Sequence, residues 1–332
     1  MDLTSTPHDD RAARAATVVR RFLAFAALLG FAGCRAAPIP PGQRYPAGTT
    51  FRAQYRVIDG TPIRMIDTGA GTPVVFIHGI GASIYGWRHE IPAVVAAGYR
   101  VIAFDNRGFG FSGKPARGYG NADYTRLVVA LLDSLGISSA VLVGHSMGGA
   151  IAAEVALRYP DRVRGMVLID AAGFGVRWPG LLKIARWPLV GAVATGFRGR
   201  WVTGRIVRSM FADPSKVTEA DVDQYYAPVP ESDFGRALRT VLREFRFDTL
   251  AGRLGQIQTP TLILWGDADR FIPPAVGTRF ARELPRSEFV LISHAGHDSP
   301  EESPEEVNRL LLAFFKDGLS RVPENVAMRG WK

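Results

Sequence analysis

The chain has 332 residues, 47% of them hydrophobic and 21% charged, with a net charge of +9 and a single cysteine. These are ordinary globular values, and the length suits one large α/β domain carrying an insertion. One cysteine excludes an internal disulfide and any cysteine-based metal cluster; the basic excess, mostly arginine, comes without zinc spacing, an RNA-binding signature or a lysine-rich tail, so no nucleic-acid partner is expected.

Arg20 and Arg21 precede a 12-residue apolar run, Phe22 to Gly33, that ends at Cys34. A spanning helix needs about 20 residues, so residues 1–33 read as an export signal peptide. Phe31 to Cys34 is similar to a bacterial lipobox, with Phe where Leu is usual, which implies cleavage before Cys34 and lipid attachment there. Plain secretion and an uncleaved membrane anchor are the alternatives. In each case the protein is expected to be exported. Residues 34–50 hold Pro38, Pro40, Pro41 and Pro46 and read as an extended tether.

Alternating strands follow at Ala53–Ile58 and Ile63–Ile66, with Asp59-Gly60 as the hairpin turn. Thr72–His78 is a continuous apolar strand of the kind buried on both faces of a parallel sheet, followed by a helix that contains Trp87 and runs to about Ala97. Gly98–Phe104 is the next buried strand, a helix covers about Asn121–Leu135, and Arg164–Ile169 is a further strand ending at Asp170. Between residues 171 and 258 the strand pattern gives way to helical segments. It resumes at Thr261–Trp265 and Glu288–Ile292, before a closing helix from Glu305 to about Lys316. Repeated strand–loop–helix units predict a doubly wound, mostly parallel α/β sheet with right-handed crossovers. The sheet core then spans 51–170 and 259–318, an inserted helical cap 171–258, and a C-terminal tail 319–332. Ligand sites in such sheets lie at the carboxyl edge of the strands, beneath this cap.

The densest chemical signal is Ala140–Glu154, a buried strand running through Gly144-His145-Ser146-Met147-Gly148 into a helix. The glycines allow strand and helix to approach closely, Ser146 must take a strained conformation that lifts its hydroxyl clear, and the Met147 N–H points from the helix N-terminus at developing negative charge.

With its neighbours, this stretch resembles the α/β-hydrolase superfamily, in its capped esterase- and lipase-like branch, over roughly Phe51–Lys316. His78-Gly79-Ile80 matches the oxyanion loop and Asp105–Ser112 the D-x-R-G-x-G-x-S turn. Gly266–Asp269 matches the acid loop and Gly296-His297 the histidine loop. The resemblance implies a Ser146–His297–Asp269 triad with the backbone N–H groups of Ile80 and Met147 as the oxyanion hole. His294, at the end of the last strand, is the alternative base, and Asp170 is the alternative acid. Relatives with histidines at 78 and 145 use them to brace backbone; Asp267 is expected to brace its loop, and His89 to lie on an exposed helix face. Asp105 and Arg107 are read as a buried ion pair.

The activity so implied is hydrolysis of a carboxylic ester with a fairly apolar acyl group, needing neither cofactor nor metal. A serine nucleophile sets the chain apart from capped relatives that place Asp there, the epoxide hydrolases and haloalkane dehalogenases. A C–C bond hydrolase, a cofactor-free perhydrolase or haloperoxidase, and a non-catalytic ligand receptor on the same fold remain as alternatives. The family's C–C hydrolases tend to carry an aromatic directly after the histidine, where this chain has Asp298. Finally, residues 171–211 hold no acid but many basic residues, among them Arg200, Arg205 and Arg208, interleaved with Trp178, Trp187 and Trp201. That composition fits either a membrane-facing half-lid or a lid whose apolar side lines the pocket.

Overall fold

The computed structural model describes residues 39–174, 199–231 and 233–319. The expected signal peptide, Cys34, the cap stretch bearing Trp178 and Trp187, and the tail beyond 319 lie outside the described residues. No described helix is long and apolar enough to cross a membrane.

β1 (Ala53–Ile58) and β2 (Thr61–Thr68) form the expected hairpin. Its turn holds Asp59 and Gly60 at φ 46° and 68°, the left-handed pair that lets a two-residue turn follow the twist of its strands. β2 pairs antiparallel with β4 (Arg100–Phe104). From β4 onward the sheet is parallel: β3 (Pro73–Ile77), β5 (Ala140–His145), β6 (Val163–Ile169), β7 (Thr261–Gly266) and β8 (Ser287–Ile292). The eight strands lie in the order β1-β2-β4-β3-β5-β6-β7-β8. Every residue of β5 and β7 is buried, as their unbroken apolar sequences require of strands covered on both faces. The order reverses direction beside β3, between β4 and β5, and the loops leaving β3 and β5 there are the oxyanion-type loop and the serine turn.

Helices α1 (Glu90–Ala96), α2 (Asn121–Ser134) and α3 (Met147–Arg158) follow β3, β4 and β5. The cap contributes α4 (Arg200–Met210), α5 (Glu219–Tyr226) and α6 (Phe234–Glu244), and the final third α7 (Pro274–Glu283), α8 (Ser299–Glu302) and α9 (Pro304–Ala313). Val207, Phe211, Val217, Val222 and Tyr225 form a small separate core in the cap, packed onto Ala82 and Tyr85 beside the oxyanion loop. Trp87 is fully buried but precedes the helix expected to hold it. It ends a 3₁₀ turn, Ile84–Trp87, and α1 begins only at Glu90, with Pro92 in the first turn where its missing N–H costs no bond. His89, expected on an exposed mid-helix face, instead sits half-buried at that helix's N-terminus.

The expected Asp105–Arg107 ion pair does not form. Asp105, fully buried, accepts from Arg64 Nη1 at 3.3 Å, from the Ile84 N–H at 2.7 Å and from the Phe111 N–H at 2.8 Å. Arg107 turns away to Asp59 of the hairpin at 2.8 Å. The carboxyl is taken up by the turn that follows it, and its cation comes from β2, the neighbouring strand. Asp105→Ala leaves Arg64 buried without its acid and two N–H groups unmet, so urea unfolding is expected to show a loss of about 3–5 kcal/mol. A loss below about 1 kcal/mol would overturn this account.

Candidate active site

Ser146 links β5 to α3 at φ 54° and ψ −116°, a strained conformation that a non-glycine residue holds only where its surroundings impose it. The imposing contact is Gly148, where a Cβ would run into the Ile77 carbonyl of β3. Close packing on the other side places Gly79 so that a Cβ there would stand 3.0 Å from Ser146 Cβ. The loop carrying Ile80 is therefore pressed against the serine.

The structure brings Ser146, His297 and Asp269 together. His297 Nε2 lies 3.0 Å from Ser146 Oγ, and its Nδ1 lies 2.7 Å from Asp269 Oδ2. The other Asp269 oxygen accepts the N–H groups of Phe271 and Ile272 at 2.7 and 2.9 Å. All three side chains are buried. Burial pushes the His297 imidazole down, but the charge of Asp269, the hydrogen bond to it and the charge of Asp170 outweigh that and hold it above the usual value. Phe271 stacks on the ring with centroids 5.4 Å apart. Among the described residues, the N–H groups of Ile80 and Met147 donate to no protein acceptor; Met147 opens α3, where the first N–H groups have no helical partner.

The alternatives lie elsewhere. His294 is exposed. Asp170 does not bond to His297: it accepts the Gly266 N–H at 2.8 Å and the Ser299 hydroxyl at 2.6 Å. Burial first, then the neighbouring Asp269, push its carboxyl up to about 8. Asp267 is exposed and ties its loop only through its N–H, which donates to the Ile292 carbonyl.

Two histidines brace this geometry. His145 Nε2 donates to the His297 carbonyl at 2.7 Å, and burial, then His297, push its own pKa down to about 3, so it stays a neutral donor. His78 accepts the Asn106 N–H at 2.8 Å through Nε2, while the Asn106 amide donates to the His78 carbonyl at 2.9 Å, tying the oxyanion-type loop to the turn after β4.

Sequence reading passed over the residues that fasten cap to core. Glu302 accepts three backbone N–H groups: Gly296 at 2.7 Å, Ala212 at 2.9 Å and Asp213 at 2.7 Å. The His297 N–H donates to the Met210 carbonyl at 2.6 Å, so the end of α4 and the histidine loop are held as one piece. Arg88 pairs with both Asp221 of the cap and Glu301, and Tyr225 also donates to Glu301. The buried glutamates after the histidine were the available signal, because a buried acid needs donors. Two of the basic lid residues, Arg200 and Arg208, have acidic partners on the next helix. Both are paired with Glu219 of α5, and Arg200 also with Asp223. Among the described residues, no group of three His, Cys, Asp or Glu is placed to hold a metal ion.

A family model described as the alpha/beta hydrolase fold matches residues 72–304. The chain is 33% identical over 280 residues to a 2-hydroxy-6-oxononadienedioate/2-hydroxy-6-oxononatrienedioate hydrolase of Burkholderia vietnamiensis, covering 78% of this chain and 93% of that one. It is 34% identical over 271 residues to the dihydrolipoyllysine-residue acetyltransferase component of an acetoin cleaving system of Pseudomonas putida, covering 79% and 69%. In structure it resembles a meta-cleavage product hydrolase from Pseudomonas fluorescens, with a TM-score of 0.71 at 27% identity over 80% of this chain and 97% of that one. The chain belongs to the α/β-hydrolase family.

Removing the Glu302 carboxylate (Glu302→Ala) leaves the buried Gly296 N–H without its acceptor, worth about 1–3 kcal/mol, and releases the part-buried Ala212 and Asp213 N–H groups toward solvent. A stability loss of about 1–3 kcal/mol is expected in urea, with the residue 210–213 backbone becoming protease-sensitive. Wild-type stability in this variant would show that the clamp carries no load.

Proposed function

We propose that the protein is a serine hydrolase that cleaves carboxylic esters through an acyl-enzyme. The observation that carries this reading is the unbroken Ser146–His297–Asp269 relay beside two unpaired N–H groups. His297 Nε2 takes the Ser146 proton as Oγ attacks the carbonyl carbon, and the carbonyl oxygen, now negative, is met by the Ile80 and Met147 N–H groups. His297 passes the proton to the departing alkoxide. It then takes a proton from water, whose oxygen bonds to the acyl carbon; the bond from that carbon to Oγ breaks, the carboxylic acid leaves, and Oγ takes the proton back from His297. Asp269 holds the Nδ1 proton throughout, which fixes the tautomer and stabilises the imidazolium.

A second reading, C–C bond hydrolysis, draws support from relatives named as hydrolases of 2-hydroxy-6-oxo dienoates. Against it stands Asp298 at the position after the histidine: it is buried, and burial and Glu301 hold its carboxyl well above the usual range. Turnover of nitrophenyl esters from acetate to laurate, set beside a 2-hydroxy-6-oxo-dienoate, separates the two. Ester turnover that vanishes in Ser146→Ala is expected. Turnover of the dienoate alone would replace the ester reading, and inertness toward both by a folded protein would end the enzyme reading.

The base must be neutral to act, so kcat/KM should fall as pH drops through a value above the usual imidazole pKa. Asp269→Asn removes the main cause of that elevation. The acid limb should then move to lower pH while kcat falls roughly 10³–10⁴-fold. An unmoved limb would count against Asp269 as the partner.

A further inference from the structure

Ala53, Tyr55 and Val57 alternate along β1, the edge strand, and so share one face, with Tyr55 opposite Arg64 and Val57 opposite Pro62. Edge strands are normally covered or charged on such a face. Here Tyr55 is 61% and Val57 70% exposed. Beside them lies an open groove of about 290 Å³ lined by Phe51, Tyr55, Phe111, Arg44, Arg52 and Arg64. Arg44 sits 4.1 Å over the Phe111 ring, and Arg64 is paired with Asp105 beneath. From Ile39 to Arg64 the chain has four arginines and a single acid, Asp59, which Arg107 holds. The surface is aromatic, apolar and cationic.

Its place in the chain says what it meets. The described chain starts at Ile39, two residues before this groove. Five residues separate Ile39 from Gly33, the end of the basic-then-apolar run, and a step of six positions reaches at most about 20 Å. If that run or a lipid on Cys34 is held in a bilayer, the surface close to headgroup level is this one. Tyrosine and arginine are the side chains that settle at an anionic interface.

We propose that the exposed face of β1 together with residues 41–52 docks on an anionic lipid bilayer. The same segment touches the cap: Gln224 of α5 accepts the Tyr45 N–H and donates to the Gln43 carbonyl, both at 3.0 Å, and Tyr45 packs edge-on against Tyr85, 5.6 Å between centroids. Docking therefore turns the carboxyl edge of the sheet, with Ser146, toward lipid. Resting on the ester reading, this makes a bilayer-borne ester the substrate class; the docking itself rests on no reaction.

Hydrogen exchange of the full chain, with and without vesicles, tests it. On phosphatidylglycerol vesicles residues 41–58 should exchange more slowly, while the turn at Tyr159, at the opposite end of α3, stays unchanged. The Tyr55→Glu/Val57→Glu double variant should lose that protection and turn over a bilayer-borne ester at least fivefold more slowly, with soluble nitrophenyl acetate hydrolysed at the wild-type rate. Exchange unaffected by vesicles, equal protection on phosphatidylcholine, or protection that appears with protein concentration alone would each overturn the proposal. Protection without turnover of any ester would leave the docking standing and remove the ester reading.

Discussion

The contact on which the site depends is the one between Gly148 and the Ile77 carbonyl. It leaves no room for a side chain, so α3 starts flush against β3, and the residue between β5 and α3 has nowhere to go but a positive φ. That single closeness sets three things together. It raises Ser146 above the sheet edge, aims the first turn of α3 at the hydroxyl, and brings the Gly79-Ile80 loop from the end of β3 alongside. Ser146 and the Met147 N–H are thus placed by backbone packing, while the loop bearing Ile80 is also tied by the side chains of His78 and Asn106.

Around that fixed point the side chains solve an electrostatic problem. Asp170, Asp298, Glu301 and Glu90 are buried within reach of one another, and Arg88 is the cation set among them. Burial leads in raising Glu90 and Asp298 well above the usual range and Asp170 to about 8. So much buried acid is tolerable because burial favours the protonated form of Glu90 and Asp298, which among the described residues have no ion-pair partner of their own. On the histidine side the same burial acts in opposite senses. It keeps His145 neutral, as its role as a donor to the His297 carbonyl requires, whereas in His297 it is overcome by Asp269. Two imidazoles with ring centroids 5.1 Å apart are thereby kept from carrying charge at the same pH.

What could be read from sequence was whatever is written locally. Unbroken apolar runs gave the parallel strands, Asp59-Gly60 gave the hairpin, and the three loops bearing Ser146, Asp269 and His297 were legible through their resemblance to α/β-hydrolase motifs. Pairing across the fold was less legible. Asp105 was assigned the arginine two residues away in the chain, yet in three dimensions the adjacent strand supplies Arg64. The Glu302 clamp joins segments about 90 residues apart, and no periodicity records it. Arg200 and Arg208 had no acid nearby in sequence because theirs, Glu219 and Asp223, follow on the next helix and fold back onto them. Local composition reports which groups need partners; only topology decides which partner each receives.

The order of these pieces along the polypeptide has a consequence for its synthesis. The serine turn is complete by Gly149, but its base arrives at His297 and the glutamate that secures the base's loop at Glu302. A chain emerging from the ribosome therefore carries the proposed nucleophile for about half its length without the group that would activate it. Because the histidine loop is also pinned to α4, it has a docking place only after the cap has closed over the sheet. On the serine-hydrolase reading, hydrolytic competence comes late in synthesis, and a chain cut short before residue 297 is expected to be inert.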